Sequence, residues 1–406
     1  MKVEERFLKY VKINTVSDEK SNTHPSTSCQ LELAKLLIEE LKALGISNAH
    51  IDDNGNVMAS IEASNGYENV KALGFIAHMD TVGNKDDMVN PQVINHYNGQ
   101  DIELGKSGKI LSTKVYPELI SFAGRTLITT DGTTILGADD KAGVAEIMTL
   151  CQELMNSTES HGKICIAFTP DEEIGRGATW FDVENFGASF AYTLDGDLEG
   201  GLEYENFNAA SVSFELKGVD IHPGSAKGIM VNAVSLACKI QSMLPAAEVP
   251  ELTEGYEGFY HLIELKGDTQ KAQMTYIVRN HDAACFKAQR KTLEHIEKIL
   301  NEKYGEGSVV LTYKESYKNM TDIIEENYHL IENARKAITD AGLEIKTSPI
   351  RGGTDGATLS FMGLPCPNLG TGGNAYHGIY EHITVEGMEK VVEVLKNLVE
   401  IYSKFN

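Results

Sequence analysis

The sequence predicts an α/β protein with a mixed, mainly parallel sheet, interrupted by an inserted ferredoxin-like α+β domain. Short apolar runs alternate with helical patterns in the N-terminal half, the signature of strands and helices laid down in turn. Between positions 208 and 317 the texture changes to the order β-α-β-β-α-β. Acids and histidines directly follow the apolar runs, at the strand ends where open α/β sheets bind ligands. A chain of 406 residues suits two domains. The division expected is 1–207 with 318–406 for the first and 208–317 for the second.

Taken in order, Gln30 to Leu44 sets Leu33, Leu36, Leu37, Leu41 and Leu44 on one helical face, and Gly45 stops the helix. Ala72 to Ala77 is almost wholly apolar, as a strand covered on both faces must be. Ile164 to Phe168 and Phe190 to Leu194 repeat that type. Between the first two, Lys141 to Met155 spaces Val144, Ile147, Met148, Cys151 and Met155 helically. In the insert, strands are expected over 209–217, 260–266, 274–279 and 308–313, and helices over 231–243 and 285–300. The first domain then resumes with helices near 323–341 and 388–402.

With 42% hydrophobic residues, 37 glycines and 10 prolines, the composition is that of a folded globular protein. Fifty-nine acidic against 36 basic residues give a formal charge of −23, which repels nucleic-acid phosphates and anionic membranes alike. Neither is expected as a partner. Met1 to Tyr10 is charged rather than apolar, and no 18 apolar residues run together, so a cytoplasmic protein is expected. The six cysteines form no C-x-x-C pair and are expected as reduced thiols.

The residues after each strand carry the chemistry. His78 and Asp80 follow the first, Asp171, Glu172 and Glu173 the second, and Asp195 the third. Asp139 and Asp140 open the helix beginning near Lys141, and His377 lies in a glycine-rich loop. Carboxylates crowded at one rim raise each other's pKa, and a divalent cation relieves that repulsion. Imidazole nitrogen mixed with carboxylate oxygen suits zinc best, with cobalt or manganese as substitutes.

Seven ordered motifs resemble one family, the two-zinc exopeptidases and deacylases that include carboxypeptidase G and aminoacylase. They are His78-Met79-Asp80-Thr81, Gly137 to Gly143, Thr169-Pro170-Asp171-Glu172-Glu173 and Tyr192-Thr193-Leu194-Asp195, followed by Ile221-His222-Pro223-Gly224, Arg351 to Gly356 and Tyr376-His377-Gly378. The resemblance spans almost the entire chain. It implies a zinc-exopeptidase catalytic domain and an inserted lid or dimerisation domain.

Position by position, the resemblance implies two zinc ions. Asp139 would bridge them, with His78 and Asp195 on one and Glu173 and His377 on the other, and the Asp139–Asp140 peptide would be cis. Asp80 would accept the free imidazole N–H of His78. Glu172 would be the general base, taking a proton from water and returning it to the leaving amine. His222, from the inserted domain, would stabilise the oxyanion, in related enzymes often from the second subunit of a dimer. Arg351 is expected to bind the terminal carboxylate of a short peptide substrate, with Asn232 and Arg279 as further substrate contacts. Stretches such as Thr253 to Tyr260 and Phe361 to Pro367 resemble the branch of tripeptide aminopeptidases, whereas Gly372 to Ala375 departs from relatives. Dipeptidase, carboxypeptidase and N-acyl amino acid deacylase activities remain alternatives on the same fold. A catalytically silent metal-binding scaffold is the alternative outside enzymes, and retention of Glu172 and Asp80 argues against it.

Overall fold

A computed structural model describes residues 1–404; positions 405 and 406, which the expected first domain includes, lie outside the described residues. Leu73–His78 and Ile164–Thr169 are buried at every position, as strands covered on both faces are. They pair in parallel with His78 opposite Thr169. Phe190–Gly196 lies parallel on the other side of Leu73–His78, and Asn368–Gly370 extends the parallel set beside it. Val57–Ile61, His50–Ile51 and Leu202–Glu203 add antiparallel margins to complete seven strands. The mixed, mainly parallel sheet is therefore the predicted one. Its parallel centre sends four carboxyl ends to one edge.

Helix Ala138–Asn156 packs on the Leu73–His78 strand and is buried at every residue from Asp140 to Cys151. It is more deeply enclosed than its sequence pattern predicted, because helices Val3–Tyr10 and Val385–Ser403 also pack on it. Gly143 meets the strand Phe190–Gly196 so closely that an added Cβ would stand 2.4 Å from the Leu194 carbonyl oxygen. The helix expected over 323–341 is two, Thr321–Glu326 and His329–Asp340. At the break the Asn327 side chain donates to the Ile323 carbonyl at 3.0 Å, competing with the backbone for its acceptor. A second sheet, Gly373–Asn374, His382–Thr384, Leu127–Thr129 and Gln92–Ile94, was not expected. Its strands are too short for an alternating pattern to register.

The chain divides into two compact units. The larger holds Met1–Tyr204, Asp322–Ser348 and the segment from Thr354 onward; the smaller holds Glu205–Thr321 and Pro349–Gly353. In the smaller unit four antiparallel strands run in the spatial order 259–267, 271–280, 208–217 and 309–317. Helices Ala233–Met243 and Ala283–Tyr304 bury Leu236, Ile240, Leu293 and Ile296 against Val212, Phe214, Met274 and Tyr276. That is a ferredoxin-like layer pair. The sequence division had run 349–353 with the larger domain, but Arg351 there donates to the Thr253, Gly255 and Glu257 carbonyls of the smaller unit. Among the described residues no helix is long and apolar enough to cross a membrane, and all six cysteines are free.

Candidate metal centre

His78 is the last residue of its strand, 2% exposed, so its ring can reach only the space beyond the sheet edge. Asp139 arrives from the start of the buried helix. Gly137 turns the chain at φ 80, Asp139 and Asp140 have non-helical angles, and the peptide between them is cis, as the resemblance implies. The Asp139 carboxylate then meets two imidazoles, Oδ1 at 2.9 Å from His78 Nε2 and Oδ2 at 2.9 Å from His377 Nε2. His377 enters from the loop joining the paired strands Gly373–Asn374 and His382–Thr384, a loop tight enough to hold Ala375 and His377 at positive φ. Asp195 Oδ1 lies 3.5 Å from His78 Nε2, and Glu173 Oε1 lies 3.1 Å from His377 Nε2. These five residues form two groups that share Asp139.

The spacing suits two cations. Ligand atoms around tetrahedral zinc, each about 2.0–2.1 Å from the metal, stand about 3.3 Å from one another. Glu173 Oε1 is moreover buried, and among the described residues no well-aligned hydrogen bond reaches it. A second cluster of possible ligands joins His78 and Asp195 to Asp140 instead. Asp140 is already engaged, because its two oxygens accept the His78 and Gly143 backbone N–H groups at 3.0 and 3.2 Å. Asp139, whose oxygens face imidazoles only, is the better ligand.

Electrostatics point the same way. Burial pushes Asp195 up to about 6, against the pull of His78. Glu173 is raised by burial and by Asp139, although the nearby His377 ring opposes this. Glu172 is raised well above the usual carboxylate range, by burial and by the Asp195 charge. Burial would raise Asp139 as well, but hydrogen bonds from His377 and His78 hold it below its ordinary value. His377 is drawn up to about 10 by Asp139 and Glu173. The crowded carboxylates thus favour positive charge at this place, as a proton on an imidazole or as a cation.

Asp80 stands between His78 and the turn that carries the glutamates. His78 Nδ1 lies 3.1 Å from the Asp80 backbone oxygen and 3.4 Å from its carboxylate. The carboxylate also accepts the Glu172 and Glu173 backbone N–H groups at 2.9 and 3.2 Å, so it holds that turn in place. Glu381 was missed by sequence reasoning. It is 1% exposed and accepts the N–H groups of Leu136, Gly137 and Asp139 at 2.7, 2.8 and 3.1 Å, fixing the turn before the helix. Asp355 was also missed: its buried carboxylate accepts from Thr169 Oγ1 at 3.1 Å and the Ala178 N–H at 2.9 Å. Both lie in or near quoted motifs, but no spacing rule marks a carboxylate that binds backbone amides.

The substrate residues expected in the smaller unit have other engagements. Arg351 is engaged within its own unit: Nη1 donates to the Gly255 and Glu257 carbonyls and Nη2 to Thr253, with the guanidinium stacked over Phe207 and Phe259. Both terminal nitrogens are occupied in holding the 253–257 loop. The Asn232 side chain caps the helix Ala233–Met243 by accepting the Ser235 N–H at 3.0 Å. Arg279 donates to the Arg351 carbonyl at 3.2 Å and lies over Tyr317. His222 is exposed on a turn, and its Nδ1 accepts the Gly224 N–H at 3.1 Å.

Residues 129–401 match the model of the family described as Peptidase family M20/M25/M40. A curated relative, Peptidase T of Clostridium perfringens, is 54% identical over 405 residues, 99% of each chain. The crystal structure of an aminopeptidase PepT from Bacillus cereus superposes with a TM-score of 0.80 at 23% identity, over 99% of this chain and 98% of that one. A tripeptidase from Staphylococcus aureus superposes with a TM-score of 0.78 at 22% identity and the same coverage. At those identities the two structures speak to the fold.

Proposed function

The chain belongs to peptidase family M20/M25/M40, and from that premise we propose that it is a zinc aminopeptidase that releases the N-terminal residue of tripeptides. The observation that carries the reading is the Asp139 carboxylate, one oxygen facing His78 and the other His377. It stands beside 54% identity with a Peptidase T along nearly the whole chain. We assign His78, Asp139 and Asp195 to one zinc ion, and Asp139, Glu173 and His377 to the other. Nitrogen mixed with carboxylate oxygen favours zinc over magnesium or calcium.

When bound, such ions supply Lewis acidity at the scissile carbonyl and make water a better acid. The chain does the rest. Glu172, its carboxyl raised by burial, takes a proton from the attacking water and delivers it to the leaving amine. Asp80 keeps Glu172 and Glu173 on their turn through the two backbone hydrogen bonds, and Glu381 does the same for Asp139. The His222 ring accepts at Nδ1, so Nε2 carries the proton it would donate to an oxyanion. No covalent intermediate with the enzyme is required.

Offering the zinc-loaded protein a free tripeptide beside N-blocked and C-amidated versions, with products identified by mass, tests the reading. Release of the first residue from the free tripeptide is expected. Cleavage of the blocked peptide but not the free one would remove aminopeptidase and leave carboxypeptidase or deacylase.

A further inference from the structure

The turn bearing Glu172 and Glu173 is gripped by a second carboxylate besides Asp80. Asp171, immediately before the pair, is fully buried and holds φ 62, a left-handed conformation uncommon outside glycine. Its Oδ1 accepts from Ser26 Oγ and from Gln30 Nε2 at 2.7 Å. Its Oδ2 accepts from the Ser26 backbone N–H at 2.7 Å and faces His24 Nδ1 at 2.9 Å. The Gln30 amide closes a two-point pair by accepting the Asp171 N–H at 3.1 Å. Every one of these groups comes from a single N-terminal stretch. The same stretch is tied down again where Arg176 donates to the Ser21 and Glu19 carbonyls and where the His24 ring lies 4.1 Å from Trp180.

A buried carboxylate surrounded by charge-assisted hydrogen bonds has one place to sit. From it the chain leaves directly into the Glu172–Ile174 turn, which is closed by Gly175 N–H on the Glu172 carbonyl and by Arg176 N–H on the Asp171 carbonyl. Asp80 holds the amides of the same turn from the sheet side. The two glutamates are thus aimed by the sheet and by a strap that precedes them by about 145 positions in the chain.

We propose that the stretch from Ser17 to Gln30 is a positioning strap for hydrolysis, and that Asp171, Ser26 and Gln30 are its positioning residues. This rests on the reading of Glu172 as proton carrier and Glu173 as metal ligand. None of the three touches substrate; they act by keeping both carboxylates on target. Displacing a catalytic group by about 1 Å lowers rate by about 10²-fold, so loosening the strap reads out in turnover rather than in affinity.

Three variants separate the terms. Ser26→Ala removes one donor, Ser26→Thr retains it, and Gln30→Met removes the two-point pair at similar volume. In Ser26→Ala and Gln30→Met, kcat is expected to fall about 10- to 100-fold while KM stays within about threefold. Ser26→Thr is expected near the parent value. A second readout needs no turnover. Cobalt(II) titration followed by absorbance is expected to show the second ion binding about 10-fold more weakly in Gln30→Met, because Glu173 rides on the loosened turn. Hydrogen exchange across 170–176 should accelerate in the same variant. Folded Ser26→Ala and Gln30→Met proteins with parental kcat and parental cobalt binding overturn the strap, as does a rise in KM alone. If the parent cleaves no tripeptide yet Gln30→Met still weakens the second cobalt ion, the peptidase reading fails and the strap stands.

Discussion

At the residue scale, neighbours in sequence have separate chemistry. Asp139 and Asp140 are adjacent, yet one faces two imidazoles and the other accepts two backbone N–H groups. Asp139→Ala is therefore expected to lose most of its bound zinc, measured by metal analysis after dialysis. Glu172→Gln should retain two ions per chain while kcat drops by about 10²–10⁴-fold, the range for a lost general acid–base group. Full turnover in that variant would remove Glu172 as proton carrier. Position after a strand or at a helix start marked a cluster of acids and histidines in the sequence, and the family resemblance singled out five candidate ligands from it. It could not show that Arg351 is consumed by its own loop, since a guanidinium looks equally available in any glycine-rich turn.

At the scale of elements, the buried helix Ala138–Asn156 is the one to perturb. Gly143→Ala drives a Cβ toward the Leu194 carbonyl and Asp140 Oδ1, and is expected to lower stability by about 1–3 kcal/mol in urea unfolding. The same helix carries Glu146, fully buried with neither oxygen partnered among the described residues, and burial raises its pKa well above the usual range. The folded chain therefore holds a proton that the unfolded chain releases. The stability it contributes is complete below the unfolded carboxyl value and is lost as pH rises toward the folded one. The slope is about 1.4 kcal/mol per pH unit. Glu146→Gln should flatten that part of the stability–pH curve when unfolding midpoints are compared at pH 5 and pH 7. Long elements such as Leu73–His78 were readable from their apolar runs. The strands of the second sheet were not, because two or three residues display no period.

At the scale of the whole molecule, acids outnumber bases by 59 to 36, and many of the acids converge on one rim. Removing the cations should leave that rim repelling itself. A chelator is expected to abolish peptidase activity and lower the thermal midpoint, with zinc restoring both; an ion present at 100 times its dissociation constant contributes about 2.7 kcal/mol. An unchanged midpoint after verified metal removal would argue that the rim is held by protein contacts alone. The sequence by itself determined the alternation that makes a parallel sheet, the ferredoxin-like insert, and the residues placed just past each strand. Those are local properties, carried by periodicity and order along the chain. Only the tertiary structure decided which oxygen of Asp139 faces which histidine, that Glu381 and Asp171 hold the two ligand-bearing turns, and that Arg351 is spent on its own unit. The physical reason is that hydrogen bonds between groups tens to hundreds of residues apart leave no period or motif in the sequence; they exist once the sheet has set the distances.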